Sequence, residues 1–134
     1  MRDAAELWRG LLLKARSDRI AMQASLAAEA LDAACFHAQQ MSEKCLKAFL
    51  IQRGVSLPYI HNLTKMAEIC AGTDAKFRSL LPMVALLTPD AVELRYDDSF
   101  WPSHQVAEDA QSSVLTVLWI IVKRKPADIR KSAE

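Results

Sequence analysis

From Ala28 to Gln52 the chain contains no glycine and no proline, and its apolar residues step by three and four: Leu31, Ala34, Ala38, Met41, Cys45 and Ala48. Among regular structures, an α-helix places residues at that spacing on one face. The segment therefore predicts a long helix whose seam packs against other helices. Gly54 follows in the position that helix-ending glycines usually occupy. A seam of this length cannot be left in water, so the rest of the chain has to cover it. The remainder reads the same way. Three glycines and five prolines occur in 134 residues, alanine and leucine dominate, and β-branched runs are scarce. That composition predicts an all-α fold.

Other helices follow from the same periodicity. The first is expected from about Asp3 to Leu26, with Leu7, Leu11, Ala15 and Met22 on one side and Trp8 and Leu12 beside them. A third starts near His61 and Asn62, with Asn62 as its cap, and continues through Leu63, Met66 and Ile69 to Gly72. A fourth, from about Asp74 to Leu87, carries Phe77, Leu80, Leu81 and Val84. Pro82 is expected to bend it or to start a second piece. A short helical turn is expected at Asp90 to Leu94, then a loop in which Phe100 and Trp101 anchor the chain. Ser103 caps the last helix, whose seam is Val106, Ala110, Ser113, Val117 and Ile120. The expected architecture is an up-and-down four-helix bundle with an extra short helix before the last long one. One domain is expected over 1–125, with 126–134 as a flexible tail.

The net charge of +1 removes the simplest argument for coating nucleic acid, a strongly basic surface, but leaves room for a local basic groove. Cys35, Cys45 and Cys70 are an odd number without metal-finger spacing, and Cys35 and Cys45 read as small core residues. They point to a reducing compartment, and with no signal-peptide pattern at the N-terminus they predict a cytoplasmic protein. The longest apolar stretch, Val114 to Val122, is too short to span a bilayer, which needs about 20 residues. That stretch is nevertheless apolar nearly all round. Leu115, Leu118, Trp119 and Val122 lie off the seam and are expected to form a homodimer interface. No metal site and no cofactor are expected, since the three histidines show no paired ligand spacing and no glycine-rich phosphate loop exists.

Four polar residues line one face of the second helix. His37, Gln40, Lys44 and Lys47 step by three, four and three. An imidazole, an amide and two ammonium groups in a row suit a phosphate or nucleotide held along a groove. The same residues also suit a solvated face in which Glu43 and Lys47 pair at i,i+4. His61 opens the third helix, either as an anion ligand at a helix N-terminus or as a local anchor. Arg95 either clamps a phosphate or pairs with a carboxylate such as Glu43.

The segment Ala34-Cys35-Phe36-His37-Ala38-Gln39-Gln40-Met41-Ser42-Glu43-Lys44-Cys45-Leu46-Lys47-Ala48-Phe49-Leu50 resembles the signature helix of HEPN domains. In order along the chain, His61-Asn62-Leu63 resembles the family's His-Asp-Leu, and Arg95-Tyr96 its Arg-Tyr-Pro. Ala4 to Ala21, with Trp8, Ala15 and Asp18, is similar to its first helix. The resemblance covers about residues 4 to 124. It implies a four-helix bundle similar to the substrate-binding subunits of nucleotidyltransferases. It also implies homodimers and a place in two-component, often toxin–antitoxin, systems beside a nucleotidyltransferase partner. Some members are metal-independent ribonucleases, with an arginine followed by a histidine after four to six residues. Here seven residues separate Arg53 from His61 and eight separate Arg95 from His104; Asn62 and Asp97 replace the family's usual Asp and Pro. Three expectations result. The first is a binding module using Lys44, Lys47, His61 and Arg95, flanked by His37 and Gln40, toward a nucleotide or a partner protein. The second is an RNA-cleaving dimer acting through Arg95 and His104. The third is a purely structural dimer.

Overall fold

A computed structural model describes residues 3–55, 62–85, 87 and 96–123. Helix α1 spans Ala4–Ala27, α2 Leu31–Gln52 and α3 Leu63–Thr73. A 3₁₀ turn, Ala75–Leu80, leads into the short α4, Leu81–Ala85, and α5 spans His104–Lys123. Among the described residues there is no strand, and no helix is long and apolar enough to cross a membrane. The chain is thus all-α and arranged as the expected bundle. Helix α2 packs on α1, α5 and α3.

The helix starts follow local hydrogen-bond chemistry. Asp3 accepts from Glu6 N at 2.8 Å, Asn62 from Lys65 N at 3.1 Å and Ser103 Oγ from Val106 N at 3.1 Å. Each satisfies an amide that the helix itself cannot. Pro82 sits in the first turn of α4, where a missing N–H costs nothing, so it starts a second piece rather than bending one. The possible turn at Asp90 to Leu94 lies outside the described residues.

Two stops are built alike. At the end of α2, Val55 N donates to Leu50 O and Gly54 N to Ile51 O, with Gly54 at φ 75°. At the end of α1, Ala30 N donates to Ser25 O and Glu29 N to Leu26 O, with Glu29 at φ 64°. Both are left-handed caps in which the chain reverses after retiring two orphan carbonyls. The second carries a side chain where glycine is the natural choice. The second helix therefore starts at Leu31, not at Ala28, because the cap consumes Ala28 to Ala30.

The core is centred on α2. Ala34, Ala38, Met41, Cys45 and Ala48 are buried as the seam predicts, and Leu46, Phe49 and Leu50 are buried beside them. Phe49 meets Phe77 with ring centroids 4.6 Å apart. Cys70 Sγ lies 3.9 Å from Leu46 O, which ties α3 to α2. All three cysteines are buried thiols. Burial, then the Asp32 charge, pushes the Cys35 thiol up to about 11. Burial, then the Asp18 charge, pushes Cys45 up to about 12. Both stay protonated and behave as small apolar residues.

Several expected core positions are displaced. Leu7 is 39% exposed and Leu11 only half-buried, because the buried stripe of α1 reaches Ala15 and Met22 through Trp8 and Leu12, one position after each of them. Val106 is exposed for the same reason; the stripe of α5 runs through Ala107, Ala110, Val114, Val117 and Ile121. Only Phe100 of the expected anchor pair packs on the core, and Trp101 is 74% exposed.

The start of α5 is fastened to the α1–α2 turn. His104 Nε2 lies 2.8 Å from Glu108 and Nδ1 lies 3.3 Å from Glu29. Hydrogen bonding to Glu108 first, and to Glu29 as well, raises the His104 pKa above the ordinary imidazole value of 6.5. The paired, charged imidazole is therefore fully present below about pH 6.5 and its contribution disappears as pH rises through the raised value.

The two caps predict opposite mutational signs. At Gly54 an added Cβ meets nothing within 4 Å, so Gly54→Ala costs only the left-handed strain, about 1 kcal/mol. Glu29→Gly removes that strain and stabilises by about the same amount at pH 9. At pH 5.5 its gain is smaller, because the charged His104 contact is lost with it. Urea unfolding of both variants at the two pH values checks the signs and their order.

Candidate functional site

The polar face of α2 meets α1 at one buried carboxylate. Asp18 is only 9% exposed and lies on the core stripe of α1, between Ala15 and Met22. Its Oδ1 accepts from His37 Nδ1 at 3.1 Å, and its Oδ2 from the Lys44 ammonium. An ionised carboxylate offers only acceptors, so two donors from α2 match it. No buried side-chain nitrogen or oxygen among the described residues lacks a partner. Desolvating a carboxylate is costly, and these two donors offset the cost while fixing the register of α1 on α2.

Asp18 was not among the expected site residues. Its signal was present in the sequence: Ala15, Asp18 and Met22 step by three and four, so an acid occupies a stripe of apolar residues. Such an acid requires cationic partners on the facing helix, and His37 and Lys44 are at the right spacing.

The rest of the stripe divides. Lys47 pairs with Glu43 at 3.4 Å across one turn, the i,i+4 pair that the spacing predicts. Gln40 Nε2 donates to Gln39 Oε1 at 3.1 Å. His37 packs against the edge of Phe36, with ring centroids 5.2 Å apart. The structure thus brings His37, Gln40, Lys44 and Lys47 onto one face, with each engaged by a neighbour. His61 and Arg95 lie outside the described residues. His104 is at the opposite end of the chain's helical segments in sequence, at the start of α5, with both ring nitrogens on carboxylates. Among the described residues no group of three or more His, Cys, Asp or Glu side chains is placed to hold a metal ion.

The apolar residues off the α5 seam have a distinct position. Leu115, Leu118, Trp119 and Val122 line a groove of about 290 Å³ together with Arg19 of α1. Leu118 and Val122 are buried at its floor, Leu115 is half-buried and Trp119 is 56% exposed. The Lys123 ammonium lies 4.1 Å from the centre of the Trp119 ring system. The expected interface is therefore a rim-and-floor arrangement in which Trp119 is the projecting member.

An all-helical bundle with a polar α2 face pinned to α1 and an apolar cleft beside α5 defines a small helical domain. Its sequence matches the HEPN domain model over residues 8–125, and the chain belongs to that family. Its fold is similar to the crystal structure of ST0689, an archaeal HEPN homologue. The TM-score is 0.68 at 18% identity, with 92% of this chain and 98% of that chain covered. No curated protein matches the chain.

The Asp18 cluster makes a direct prediction. Asp18→Ala leaves His37 and Lys44 without their acceptor in a mostly buried setting and lowers stability by about 2 kcal/mol. Asp18→Asn keeps an acceptor for one donor and loses less. Chemical denaturation of the two variants checks the order.

Proposed function

We propose that this HEPN domain is a binding module rather than a catalyst. It pairs with a second copy and works beside a nucleotidyltransferase-type partner in a two-component, toxin–antitoxin-like system. The polar face of α2 takes an anionic ligand of the nucleotide class. The observation that carries the ligand reading is the pair of ammonium groups on adjacent turns of α2, Lys44 and Lys47. Each is partly exposed and has one carboxylate contact, to Asp18 and to Glu43. An ammonium has three donors, so one carboxylate each leaves capacity for phosphate oxygens. His37 and Gln40 flank them, and His61 and Arg95 are the further ligands that the family resemblance assigns.

Such a site binds phosphate by charge-assisted hydrogen bonds, and its affinity falls as salt screens the lysines. Catalysis by Arg95 and His104 has less support. A general base must have a free nitrogen, and both ring nitrogens of His104 lie against carboxylates, Glu29 and Glu108. Self-association is assigned to the α1–α5 groove, where the projecting Trp119 fits the usual role of an aromatic anchor at an interface.

Calorimetry with a panel of nucleoside mono-, di- and triphosphates tests the ligand reading. Binding is expected with the wild type and is expected to weaken at least about tenfold in Lys47→Ala. No heat with any nucleotide, or equal affinity in the variant, overturns it. Sedimentation at micromolar concentration tests the pairing. The wild type is expected as a dimer, and Trp119→Asp as a monomer with unchanged helicity.

A further inference from the structure

A second, larger groove of about 760 Å³ lies between α1 and α2, away from the α5 cleft. Its apolar lining is Leu7, Leu11 and Leu13 of α1 and Ile51 of α2, and Lys14 and Lys47 are its charged members. Gly10 and Ser17 complete it and leave its α1 wall low. Leu7 and Leu13 are 39% and 55% exposed, high values for leucines that share a cleft. Leu7, Leu11 and Lys14 step by four and three along α1, and Lys47 and Ile51 by four along α2. The groove thus runs along the helix pair as a continuous track.

We infer that this groove is a docking track for an amphipathic helix of a partner protein, one whose apolar stripe is flanked by carboxylates. The inference rests on the partner-binding half of the reading above and assigns it a surface and a chemistry. An apolar floor along two parallel-running tracks is the geometry that receives a helix through side chains at i, i+4 and i+7. The charge decides what kind of helix. No carboxylate lines the groove. Lys47 already has Glu43, whereas Lys14 has no ion-pair partner among the described residues. A carboxylate on the incoming helix supplies the missing counter-charge and a basic helix is repelled.

The same charge argument disfavours a second copy of this chain in this groove. A two-fold pairing presents the same patch from both sides. It would bring two lysines per copy to an interface with no lining acid. The groove beside Trp119 has cations of its own, Arg19 in its lining and Lys123 over the Trp119 ring, but it offers a large exposed aromatic anchor that the larger groove lacks, and so suits self-pairing better. The two surfaces use α1 from different sides, so a dimer formed at one leaves the other open.

The test uses a designed helical peptide of roughly five turns, with leucines at i, i+4 and i+7 and glutamates on both flanks, and a counterpart with lysine for each glutamate. Fluorescence anisotropy measures both against the full chain. The acidic peptide is expected to bind, and the basic one to bind at least about tenfold more weakly. The double variant Leu7→Ser/Leu13→Ser is expected to weaken the acidic peptide at least about tenfold, and Lys14→Gln about fivefold. All three substituted positions are exposed, and circular dichroism confirms the fold of each variant. The double variant is expected to sediment as the wild type does and to keep its nucleotide calorimetry, which separates the apolar lining of this groove from the Trp119 cleft and from the polar face of α2, with which the groove shares Lys47. Absence of acidic-peptide binding, equal binding of both peptides, or unchanged binding in the variants overturns the proposal. Loss of the dimer in the double variant also overturns it, because the occupant is then a second copy.

Discussion

The enclosure of α2 is the constraint on which the rest depends. From Cys45 to Leu50 it buries Cys45, Leu46, Ala48, Phe49 and Leu50, leaving only Lys47 in that run partly exposed. A helix buried over so much of its circumference has to be covered from several directions. Here α1, α3 and α5 each take a side. Burial of each large side chain contributes about 2 kcal/mol, so the centre of the bundle is fixed by this one helix. What remains of its surface includes the polar strip carrying His37, Gln40, Lys44 and Lys47.

That strip is not independent of the fold. Asp18 occupies a core position of α1 and draws His37 and Lys44 to itself. A carboxylate there is weak evidence for stability when compared with an apolar residue of similar size. It does, however, fix which residues of α1 face which residues of α2, because a slip by one turn would strand the charge. The same carboxylate organises the ammonium of Lys44. One turn on, Glu43 engages Lys47 in the same way.

Helix α1 is the element that the rest of the surface is organised around. One side enters the core through Trp8, Leu12, Ala15 and Met22. A second borders the Trp119 cleft through Arg19, and a third borders the larger groove through Leu7, Leu11 and Lys14. Exposed Leu7 and Leu13 line this groove rather than the core.

Local rules carried much of this structure. The spacing of Leu31, Ala34, Ala38, Met41, Cys45 and Ala48 determines a helix, because only 3.6 residues per turn aligns them. Asn62, Ser103 and Gly54 determine where helices begin and end, because their side chain or backbone freedom serves the orphan groups at those points. The pairing of Lys47 with Glu43 is likewise a property of one helix. Tertiary structure decided what depends on two elements at once. Whether Leu7 or Trp8 faces inward is a rotation of about 100° that the sequence of α1 leaves open, and contact with α2 settles it. Glu29 in a left-handed cap is disfavoured locally, and only the neighbouring His104 gives its side chain a use. The polar stripe was legible as a stripe, but its state was not. Nothing within α2 reveals that His37 and Lys44 answer to a carboxylate nineteen and twenty-six residues earlier, because that pairing exists only once α1 has folded back against α2.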